Sequence, residues 1–293
     1  MHFASGIVRP PFEAGCAFLQ VTSGCSHNRC AFCTYYKDAR FAVSPMEEVE
    51  ADLDELAAHP WRGYDRVWLQ GADSFVLPYD RLMEIAELIH AKLPWVRSIG
   101  AFARVTNFRN KSVEQLRNLR DVGYARLTVG VETGDSALLA RMHKGHDAEE
   151  TLRQMAKVDE AGLTWVGQFL NGLGGRGYGD ASALASAKLY NRLRPMMIYN
   201  ASLTLFPDTP LYQEVLAGTF EEATEAERLR ELQALVGNLT CETVFKCEHV
   251  SMPVKVAGVL PRDRDAIVTG LGRAIEQASD GSLERYRASI RSI

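Results

Sequence analysis

Cys25-Ser-His-Asn-Arg-Cys30-Ala-Phe-Cys33 is the most informative stretch of this 293-residue chain. Three cysteines separated by four and two residues can direct their thiolates at one metal centre, because a single tight loop brings the three sulfurs within bonding distance. A structural zinc site closes its tetrahedron with a fourth protein ligand, whereas three cysteines on a four-iron cluster leave one iron open. The loop therefore predicts a metal centre that carries out a reaction.

Strand-like and helix-like patterns alternate along the chain around this loop. The predicted strands run from Phe18 to Thr22, Arg66 to Gln70, Ile99 to Ala103, Arg126 to Val131, Leu163 to Leu170 and Met197 to Phe206. The predicted helices cover residues 45–58, 79–92, 112–122, 135–142, 148–161 and 181–193. Apolar runs such as Val-Trp-Leu at 67–69 are typical of parallel strands that helices cover on both faces. The pattern predicts an α/β fold, a (β/α) barrel of six units with its chemistry at the carboxyl ends of the strands.

The cysteine loop resembles the cluster-binding loop of the radical S-adenosylmethionine (radical SAM) enzymes. The usual spacing in that family is three and two, whereas the first gap here holds four residues. Phe32 matches an aromatic position that in the family shields the cluster and lies near the adenine. The resemblance implies that Cys25, Cys30 and Cys33 bind a [4Fe-4S] cluster, that S-adenosylmethionine (SAM) is the second cofactor, and that the fold is a partial (β/α)6 TIM-like barrel. The alternatives are a zinc knuckle and unrelated core or surface thiols.

Two further motifs are similar to one branch of this family, which includes oxygen-independent coproporphyrinogen oxidases, methylthiotransferases and cobalamin-dependent enzymes. One is Gly130-Val-Glu132-Thr-Gly134 with the run on to Met142-His-Lys144-Gly-His146, and the other is Phe206-Pro-Asp-Thr-Pro-Leu-Tyr212. Glu132, at a strand end, is expected to accept hydrogen bonds from a ribose or an ammonium group. Lys144 stands where the methylthiotransferases carry an arginine, which implies a contact with the SAM carboxylate. The alternatives are a surface carboxylate and a solvated lysine at a helix end.

Other cofactor contacts follow from weaker matches to the same family. Gly71-Ala-Asp73 follows the second strand in the place of the Gly-Gly-Glu motif, whose acceptors hold the ammonium of SAM, so Gly71 and Asp73 are candidates. A loop-capping aspartate is the alternative for Asp73. Gln168 aligns with a polar position that contacts the cofactor, although it can instead be a strand glutamine satisfied by its neighbours. Arg104 ends the third strand and faces either the cofactor or solvent.

Gly172-Leu-Gly174-Gly-Arg-Gly177 spells the dinucleotide fingerprint G-x-G-x-x-G between a predicted strand and a helix. It lies in the fifth unit and not in the first, and no acidic residue ends the following strand, as a ribose-binding carboxylate would. A nicotinamide or flavin site is therefore not favoured. The better interpretation is the glycine-rich turn of the radical SAM family, where the backbone can approach adenine closely.

Composition is that of an ordinary soluble protein with a large core. The hydrophobic content is 46%, the net charge is -4, and lysine and arginine form no basic stripe, so nucleic acid is not favoured as a partner. No apolar run approaches the roughly 20 residues that span a bilayer, and the first 15 residues do not have the layout of a signal peptide. We expect a cytoplasmic protein without a membrane partner, and the six cysteines suit such a reducing compartment.

Three segments are expected along the chain. Residues 1–15 form an extended lead-in, residues 16–215 form the barrel, and residues 216–293 form a carboxyl-terminal extension that covers the barrel. The extension is predicted to contain a helix at 221–236, an irregular stretch from Cys241 to Leu260, and a helix at 263–278. At the start of the first barrel helix, Ser44-Pro-Met-Glu47 has the spacing of a capping box.

The carboxyl-terminal stretch supplies the candidate for contact with the substrate. A six-unit barrel is not fully closed, so a radical reaction inside it needs a cover, and the stretch from Cys241 to Leu260 is the best candidate. His249 within it is the candidate substrate or proton-relay residue, because an imidazole titrates near neutrality. A structural histidine is the alternative. Cys16, Cys241 and Cys247 have no common cluster spacing, so buried thiols are favoured over a second cluster.

The resemblance implies an enzyme that reductively cleaves SAM at a [4Fe-4S] cluster and abstracts hydrogen from a small-molecule substrate. It also implies an electron donor such as flavodoxin or ferredoxin. One alternative is a methyl- or methylthio-transferring relative, which needs a cobalamin domain or a second cluster. A nucleic-acid-modifying enzyme, which normally adds a basic module, is another, and a non-catalytic iron-sulfur or zinc protein is the third. Fold alone does not decide among them.

Overall fold

The computed structural model of the chain describes residues 1–4, 6–59, 63–277 and 281–290. The strands are β1 Ala17–Gln20, β2 Thr22–Ser23, β3 Ala42–Val43, β4 Arg66–Gln70, β5 Ser98–Arg104, β6 Leu127–Glu132, β7 Trp165–Asn171, β8 Met197–Ser202, β9 Thr243–Cys247 and β10 Val256–Leu260. The helices are α1 Met46–Ala58, α2 Tyr79–Lys92, α3 Val113–Asp121, α4 Ser136–Arg141, α5 Ala148–Ala161, α6 Gly179–Tyr190, α7 Pro210–Leu216, α8 Glu225–Asn238, α9 Arg264–Gln277 and α10 Ser282–Ser289. Short 3-10 turns cover Pro11–Glu13, Ser74–Val76 and Val105–Phe108.

The strands form an α/β fold with a mostly parallel sheet, as the sequence predicts. In the described part of the chain, eight strands follow the order β1-β4-β5-β6-β7-β8-β9-β10, and β2 pairs with β3 in a separate antiparallel ribbon. Every residue of β4 is buried, because helices cover parallel strands on both faces. The apolar run at 67–69 is therefore a strand of the core.

The chain divides into two compact units. The first consists of Met1–Asn28, Tyr35–Gly130 and Gln154–Trp165, and the second of Arg29–Thr34, Val131–Arg153 and Val166–Ile293. Within the first unit, β1 pairs in parallel with β4, β4 with β5, and β5 with β6. Within the second, β7, β8 and β9 pair in parallel, and β10 adds an antiparallel edge to β9. The division into lead-in, barrel and covering extension stays a prediction.

A buried ion pair ties the lead-in to the start of β4. The Glu13 carboxylate is 0% exposed and accepts hydrogen bonds from Arg66 Nε at 2.8 Å and Nη2 at 3.2 Å. Cys16 Sγ also donates to Glu13 at 2.9 Å, and burial, reinforced by this bond, raises the pKa of the Cys16 thiol to about 12. The space for the guanidinium depends on Gly100, where a Cβ atom would stand 2.2 Å from Arg66 Nη2.

The start of α1 differs from the expected capping box. Pro45 is the N-cap residue and no side chain caps the helix. The main chain of Ser44 is held elsewhere, because its N–H donates to Val21 O at 3.0 Å and its carbonyl accepts from Arg81 Nη2 at 3.0 Å. The predicted position of the helix start is correct, but the capping box from which it was predicted does not form.

The stretch from Cys241 to Leu260 is not irregular, which corrects the sequence interpretation. It contains β9 and β10, and β9 continues the parallel sheet beside β8, with Met197 opposite Val244. Pairing with β8 supplies the main-chain hydrogen bonds that local sequence does not encode. Two helices, α7 and α10, were not predicted. Ala278, the last residue of the predicted helix at 263–278, lies outside the described residues.

No helix in the described part of the chain is both long and apolar enough to cross a membrane.

Replacing Glu13 by glutamine is expected to reduce the free energy of unfolding by about 3–5 kcal/mol, because the buried Arg66 guanidinium loses its counter-charge. Urea denaturation followed by circular dichroism measures the change. Glu87, an exposed residue within α2, is the control, and Glu87→Gln should change stability by less than about 0.5 kcal/mol. Equal stability of the two variants would show that the ion pair does not contribute.

Candidate active site

The segment that leads into the cysteine loop runs beside the segment that follows β4. Val21 N donates to Gln70 O at 3.5 Å, and Ala72 N donates to Gly24 O at 3.2 Å. Between these bonds, Gly71 has a φ of +128°, and a Cβ atom there would stand 1.9 Å from Thr22 Oγ1. Only glycine fits this close approach without strain. Gly71 is thus required by the backbone, whether or not it also contacts a cofactor.

Asp73 holds the first half of the cysteine loop. Its Oδ1 accepts from the Ser26 backbone N–H at 3.1 Å, and its Oδ2 accepts from Ser26 Oγ at 2.5 Å. Asn107 Nδ2 donates to the same Oδ2 at 3.3 Å, and the Asp73 side chain is fully buried. These contacts are those of the loop-capping aspartate that sequence left as the alternative.

The gap between Cys25 and Cys30 turns at Asn28. This residue has a φ of +46°, a left-handed conformation that asparagine tolerates better than most residues. Its side-chain amide donates to Tyr36 O at 2.6 Å, and its backbone N–H donates to Cys25 Sγ at 3.4 Å. The gap of four residues is therefore an ordered turn.

The Cys25 thiol lies between opposite charges of the first unit. Burial is the main cause that raises its pKa, and the nearby Asp73 carboxylate adds to the increase. Hydrogen bonds from the backbone of Asn28 and His27, and the positive charge of Arg104, act in the opposite direction. Arg104, at the end of β5, is therefore within electrostatic reach of the loop, and its own N–H donates to Asn107 Oδ1 at 2.7 Å.

The second half of the cysteine loop is fixed by main-chain bonds within the second unit. Ala31 N donates to Met142 O at 3.2 Å, and Ala31 O accepts from Leu211 N at 3.0 Å. Phe32, which is half-buried, packs against the apolar cluster that includes Ala31, Met142 and Leu211. The turn at residues 206–212 that sequence singled out thus supports the loop directly, because α7 begins there.

Glu132, Lys144 and Phe32 come together. Lys144 Nζ donates to Glu132 Oε1 at 2.9 Å and lies 5.8 Å from the centroid of the Phe32 ring. Glu132 ends β6 with a φ of +66°, which is uncommon for a residue with a side chain. Such strain persists where the surroundings fix it, and functional sites are the usual places. Glu132 and Lys144 thus form a buried ion pair, and Phe32 of the cysteine loop lies against its lysine.

His249 lies in the loop between β9 and β10, half-buried, with its ring edge-on to that of Tyr199 at 6.4 Å. Ser202 N donates to Ser251 Oγ at 2.8 Å, which leaves the Ser251 hydroxyl proton for His249 Nδ1, also at 2.8 Å. Ser251 N donates to Nδ1 as well, at 3.2 Å. Nδ1 is therefore an acceptor, and the neutral imidazole carries its proton on Nε2. Burial, with the nearby Lys255 charge, lowers the pKa of His249.

Helix α10 holds this histidine loop in place, a feature that sequence reasoning missed. Tyr286 Oη donates to Val250 O at 2.7 Å, and Arg287 Nη2 donates to Ser251 O at 2.8 Å. The Arg287 guanidinium also binds the buried Glu225 carboxylate. No local motif marks such contacts, because they join residues far apart in sequence.

Two further predicted features, Gln168 and the glycine-rich turn, lie in β7 and in the segment that follows it. Gln168 is half-buried in β7 opposite Tyr199 of β8. The backbone of the glycine-rich turn binds carboxylates of α8, since Gly172 N donates to Glu231 Oε2 at 2.6 Å and Gly177 N donates to Glu227 Oε1 at 3.2 Å. These two amides are therefore already paired within the protein.

Cys16, Cys241 and Cys247 are thiols in separate surroundings. Cys16 donates to Glu13, Cys247 lies against Asn200 Nδ2 at 3.5 Å, and burial raises the pKa of Cys241 to about 11. In the described ranges, no three His, Cys, Asp or Glu side chains form a preassembled group of metal ligands.

The chain belongs to the Radical SAM superfamily. The family model for this superfamily matches residues 19–189, which is more than half of the chain and includes the cysteine loop, Glu132 and Lys144. This superfamily consists of enzymes that use SAM and a [4Fe-4S] cluster.

The curated relatives include tRNA-2-methylthio-N(6)-dimethylallyladenosine synthases. That of Psychrobacter cryohalolentis is 24% identical over 88% of this chain and 52% of its own length, and that of Chlorobium phaeobacteroides is 27% identical over 77% and 50%. The chain spans about half the length of these relatives.

Solved structures of radical SAM enzymes share the fold. The methyltransferase TsrM from Kitasatospora setae has a TM-score of 0.57 at 21% identity, over 70% of this chain and 37% of TsrM. Methylornithine synthase (PylB) has a TM-score of 0.53 at 17% identity, over 90% and 81%. Coproporphyrinogen III oxidase (HemN) from Escherichia coli has 0.54 at 15%, over 75% and 51%. The predicted partial TIM-like barrel is confirmed.

Replacing Glu132 or Lys144 by alanine is expected to weaken SAM binding to the iron-loaded protein by about 1–3 kcal/mol, because each removes one partner of a buried charge-assisted pair. Calorimetry on variants with wild-type iron content measures the loss. Arg141→Ala, which breaks an exposed ion pair with Glu214 in the same unit, is the control and should bind SAM normally. Wild-type affinity in both buried variants would remove these residues from the SAM site.

Proposed function

We propose that the chain is a radical SAM enzyme that abstracts a hydrogen atom from a small-molecule substrate. Cys25, Cys30 and Cys33 would hold a [4Fe-4S] cluster that, when reduced and with SAM bound at its open iron, supplies the electron for cleavage of SAM to methionine and a 5′-deoxyadenosyl radical. The single observation that carries the proposal is the three-cysteine loop, anchored on both sides by hydrogen bonds, inside the region that matches the superfamily.

The donor set of the loop fits such a cluster. Three thiols lie within nine residues, the described ranges offer no fourth cysteine beside them in sequence, and thiolates are the usual ligands of four-iron clusters. Binding requires that each thiol lose its proton, so the loop's amide donors, such as Asn28 N–H on Cys25 Sγ, act in favour of the bound form.

Glu132, Lys144 and Phe32 are the residues that we assign to SAM. Lys144 holds its positive charge beside the Phe32 ring and the Glu132 carboxylate, so it can attract the SAM carboxylate while Glu132 accepts from the ribose or the ammonium group. Phe32 offers an apolar face next to two cysteines of the loop. Gln168, Arg104 and the backbone at Gly71 are further candidates for cofactor contact.

His249 is the residue that we assign to the substrate. Its Nδ1 accepts from Ser251, so the group it can present to a substrate is the Nε2–H donor, and the matching substrate group is a hydrogen-bond acceptor. Burial lowers the pKa of His249, which favours the neutral ring. We therefore expect His249 to orient the substrate and not to act as a base through Nδ1.

Methylthio transfer to tRNA is the second candidate function. The observation that favours it is the similarity to tRNA-2-methylthio-N(6)-dimethylallyladenosine synthases over as much as 88% of the chain. Against it stands the net charge of -4, which gives no general electrostatic attraction to a polyanion. The small-molecule proposal is therefore preferred. An electron donor such as flavodoxin or ferredoxin is expected in either case.

Anaerobic reconstitution tests the proposed function. The wild-type protein should bind about four irons per chain and form 5′-deoxyadenosine from SAM under strong reduction, while a variant with alanine at Cys25, Cys30 and Cys33 should do neither. The matched control is alanine at Cys16, Cys241 and Cys247, which should retain both properties. Iron binding without 5′-deoxyadenosine would favour a non-catalytic metal protein.

The substrate class is tested by the same assay. Addition of the low-molecular-weight fraction of a cell extract should accelerate formation of 5′-deoxyadenosine, and bulk tRNA should not. Acceleration by tRNA alone would favour the second candidate function.

Substitution of His249 tests its donor role. His249→Gln places an amide N–H near the position of Nε2, whereas His249→Asn retains an acceptor near Nδ1 and loses the Nε2 donor. We expect both variants to keep the cluster and SAM affinity, the glutamine variant to keep most of the acceleration by the small-molecule fraction, and the asparagine variant to lose it. Equal acceleration in the wild type and both variants would assign His249 a structural role.

A further inference from the structure

Two departures from the radical SAM sequence pattern meet at one contact in the first unit. The first gap of the cysteine loop holds four residues, and the family's Gly-Gly-Glu is replaced by Gly71-Ala-Asp73. Ser26 lies within the longer gap, and both of its polar groups donate to the Asp73 carboxylate. Asp73, which stands in place of the family's glutamate, thus binds Ser26, which lies in the lengthened gap of the cysteine loop.

We propose that Asp73 is a positioning residue for the cluster loop, which it holds through Ser26, and that it is not a ligand of SAM. This inference rests on the proposed function, because it takes the loop that contains Cys25 to be the cluster loop. It assigns to Asp73 a role different from that of the glutamate in the family motif.

The acceptor capacity of Asp73 is largely used inside the protein. Ser26 N–H, Ser26 Oγ and Asn107 Nδ2 occupy three of the about four acceptor positions of a carboxylate. The side chain is 0% exposed, so an ammonium group could reach it only by moving the surrounding residues or by displacing one of these donors. Displacement would leave a donor unpaired, which is unfavourable.

The residue behind Asp73 is itself fixed. Asn107 Oδ1 accepts from Arg104 N at 2.7 Å, and Asn107 O accepts from Lys111 Nζ at 3.1 Å. Lys111 Nζ also donates to Phe75 O at 3.1 Å, so it ties the turn that follows Asp73 to the turn that carries Asn107. These hydrogen bonds fix Asn107, and Asn107 in turn fixes the orientation in which the Asp73 carboxylate binds Ser26.

Side-chain length explains why aspartate fits here. The two oxygens bind the N–H and the hydroxyl of one residue, a close two-point contact that fixes how far the carboxylate stands from the loop. Glutamate adds one methylene, which in this buried position would drive the carboxylate into Ser26 or out of register with Asn107. A glutamate that binds SAM would face no such limit.

The experiment measures iron loss and SAM affinity separately in the reconstituted full chain. Iron loss is followed by the rate at which a ferrous chelator removes iron, and SAM affinity by calorimetry. Asp73→Ala and Ser26→Ala should each lose iron faster than the wild type, Asp73→Ala by on the order of tenfold, as expected for loss of a charge-assisted hydrogen bond. SAM affinity per intact cluster should stay within about twofold of the wild type.

Asp73→Glu separates the two roles most sharply. If Asp73 positions Ser26, the longer side chain should lose iron nearly as fast as Asp73→Ala. If Asp73 binds SAM, glutamate, the residue of the family motif, should preserve both iron retention and SAM affinity, and that result would overturn the inference.

The double variant of Ser26 and Asp73 distinguishes a specific contact between the two residues from general destabilisation of the loop. Since Ser26 acts through Asp73, the double variant Ser26→Ala/Asp73→Ala should lose iron no faster than Asp73→Ala alone. Asp52→Asn, at a buried aspartate bound to His2, and Ser112→Ala, at the N-cap of α3, are the controls and should retain iron normally. Multiplicative effects in the double variant would overturn the inference.

The outcomes also distinguish this inference from the proposed function. A wild-type chain that binds no iron would overturn the proposed function and the inference with it. A wild-type chain that binds iron and cleaves SAM, together with Asp73 variants that retain iron normally but bind SAM at least tenfold more weakly, would overturn the inference alone.

Discussion

Parallel pairing between β1 and β4 is the interaction on which the cysteine loop depends. The pairing continues past the ends of both strands, through the bonds of Val21 with Gln70 and of Ala72 with Gly24. The next contact in this direction is the hydrogen bond that Ser26 N donates to Asp73 Oδ1. Because the carboxyl ends of neighbouring parallel strands lie at one edge of a sheet, the loop after β1 and the turn after β4 are brought side by side by the sheet itself. The first half of the loop is therefore held before any metal binds.

The second half of the loop depends on a different constraint, a buried pair of opposite charges. Glu132 ends β6 in a left-handed conformation, and its partner Lys144 lies in a turn in which the neighbouring His143 and Gly145 also have positive φ. Met142, in that turn, accepts the hydrogen bond of Ala31 from the cysteine loop. The turn that brings Lys144 to Glu132 is thus also the turn that holds the loop, so the candidate SAM residues and two of the candidate cluster ligands, Cys30 and Cys33, share one support.

Periodicity and strand ends made most of the fold predictable, and tertiary contacts account for what was missed. Buried strands such as Arg66–Gln70 carry a central apolar run, here Val-Trp-Leu at 67–69, and the strand ends predicted from such runs place Glu132 and Gly71 correctly. The hairpin of β9 and β10 was missed because it becomes a strand pair by hydrogen bonding to β8, far away in sequence. Ser26 was missed for a similar reason. A serine in a loop has no signal of its own until Asp73, 47 residues on, is seen beside it.

In the proposed function, the cysteine loop would hold a cluster whose open iron would bind the amino and carboxylate groups of SAM. Electron-nuclear double resonance of the reduced, iron-loaded protein tests this binding directly, with SAM that carries ¹⁵N at the amino group and ¹³C at the carboxylate. We expect a hyperfine coupling from both labels to the cluster spin in the wild type. A cluster signal that shows neither coupling at saturating SAM would rule out this mode of binding.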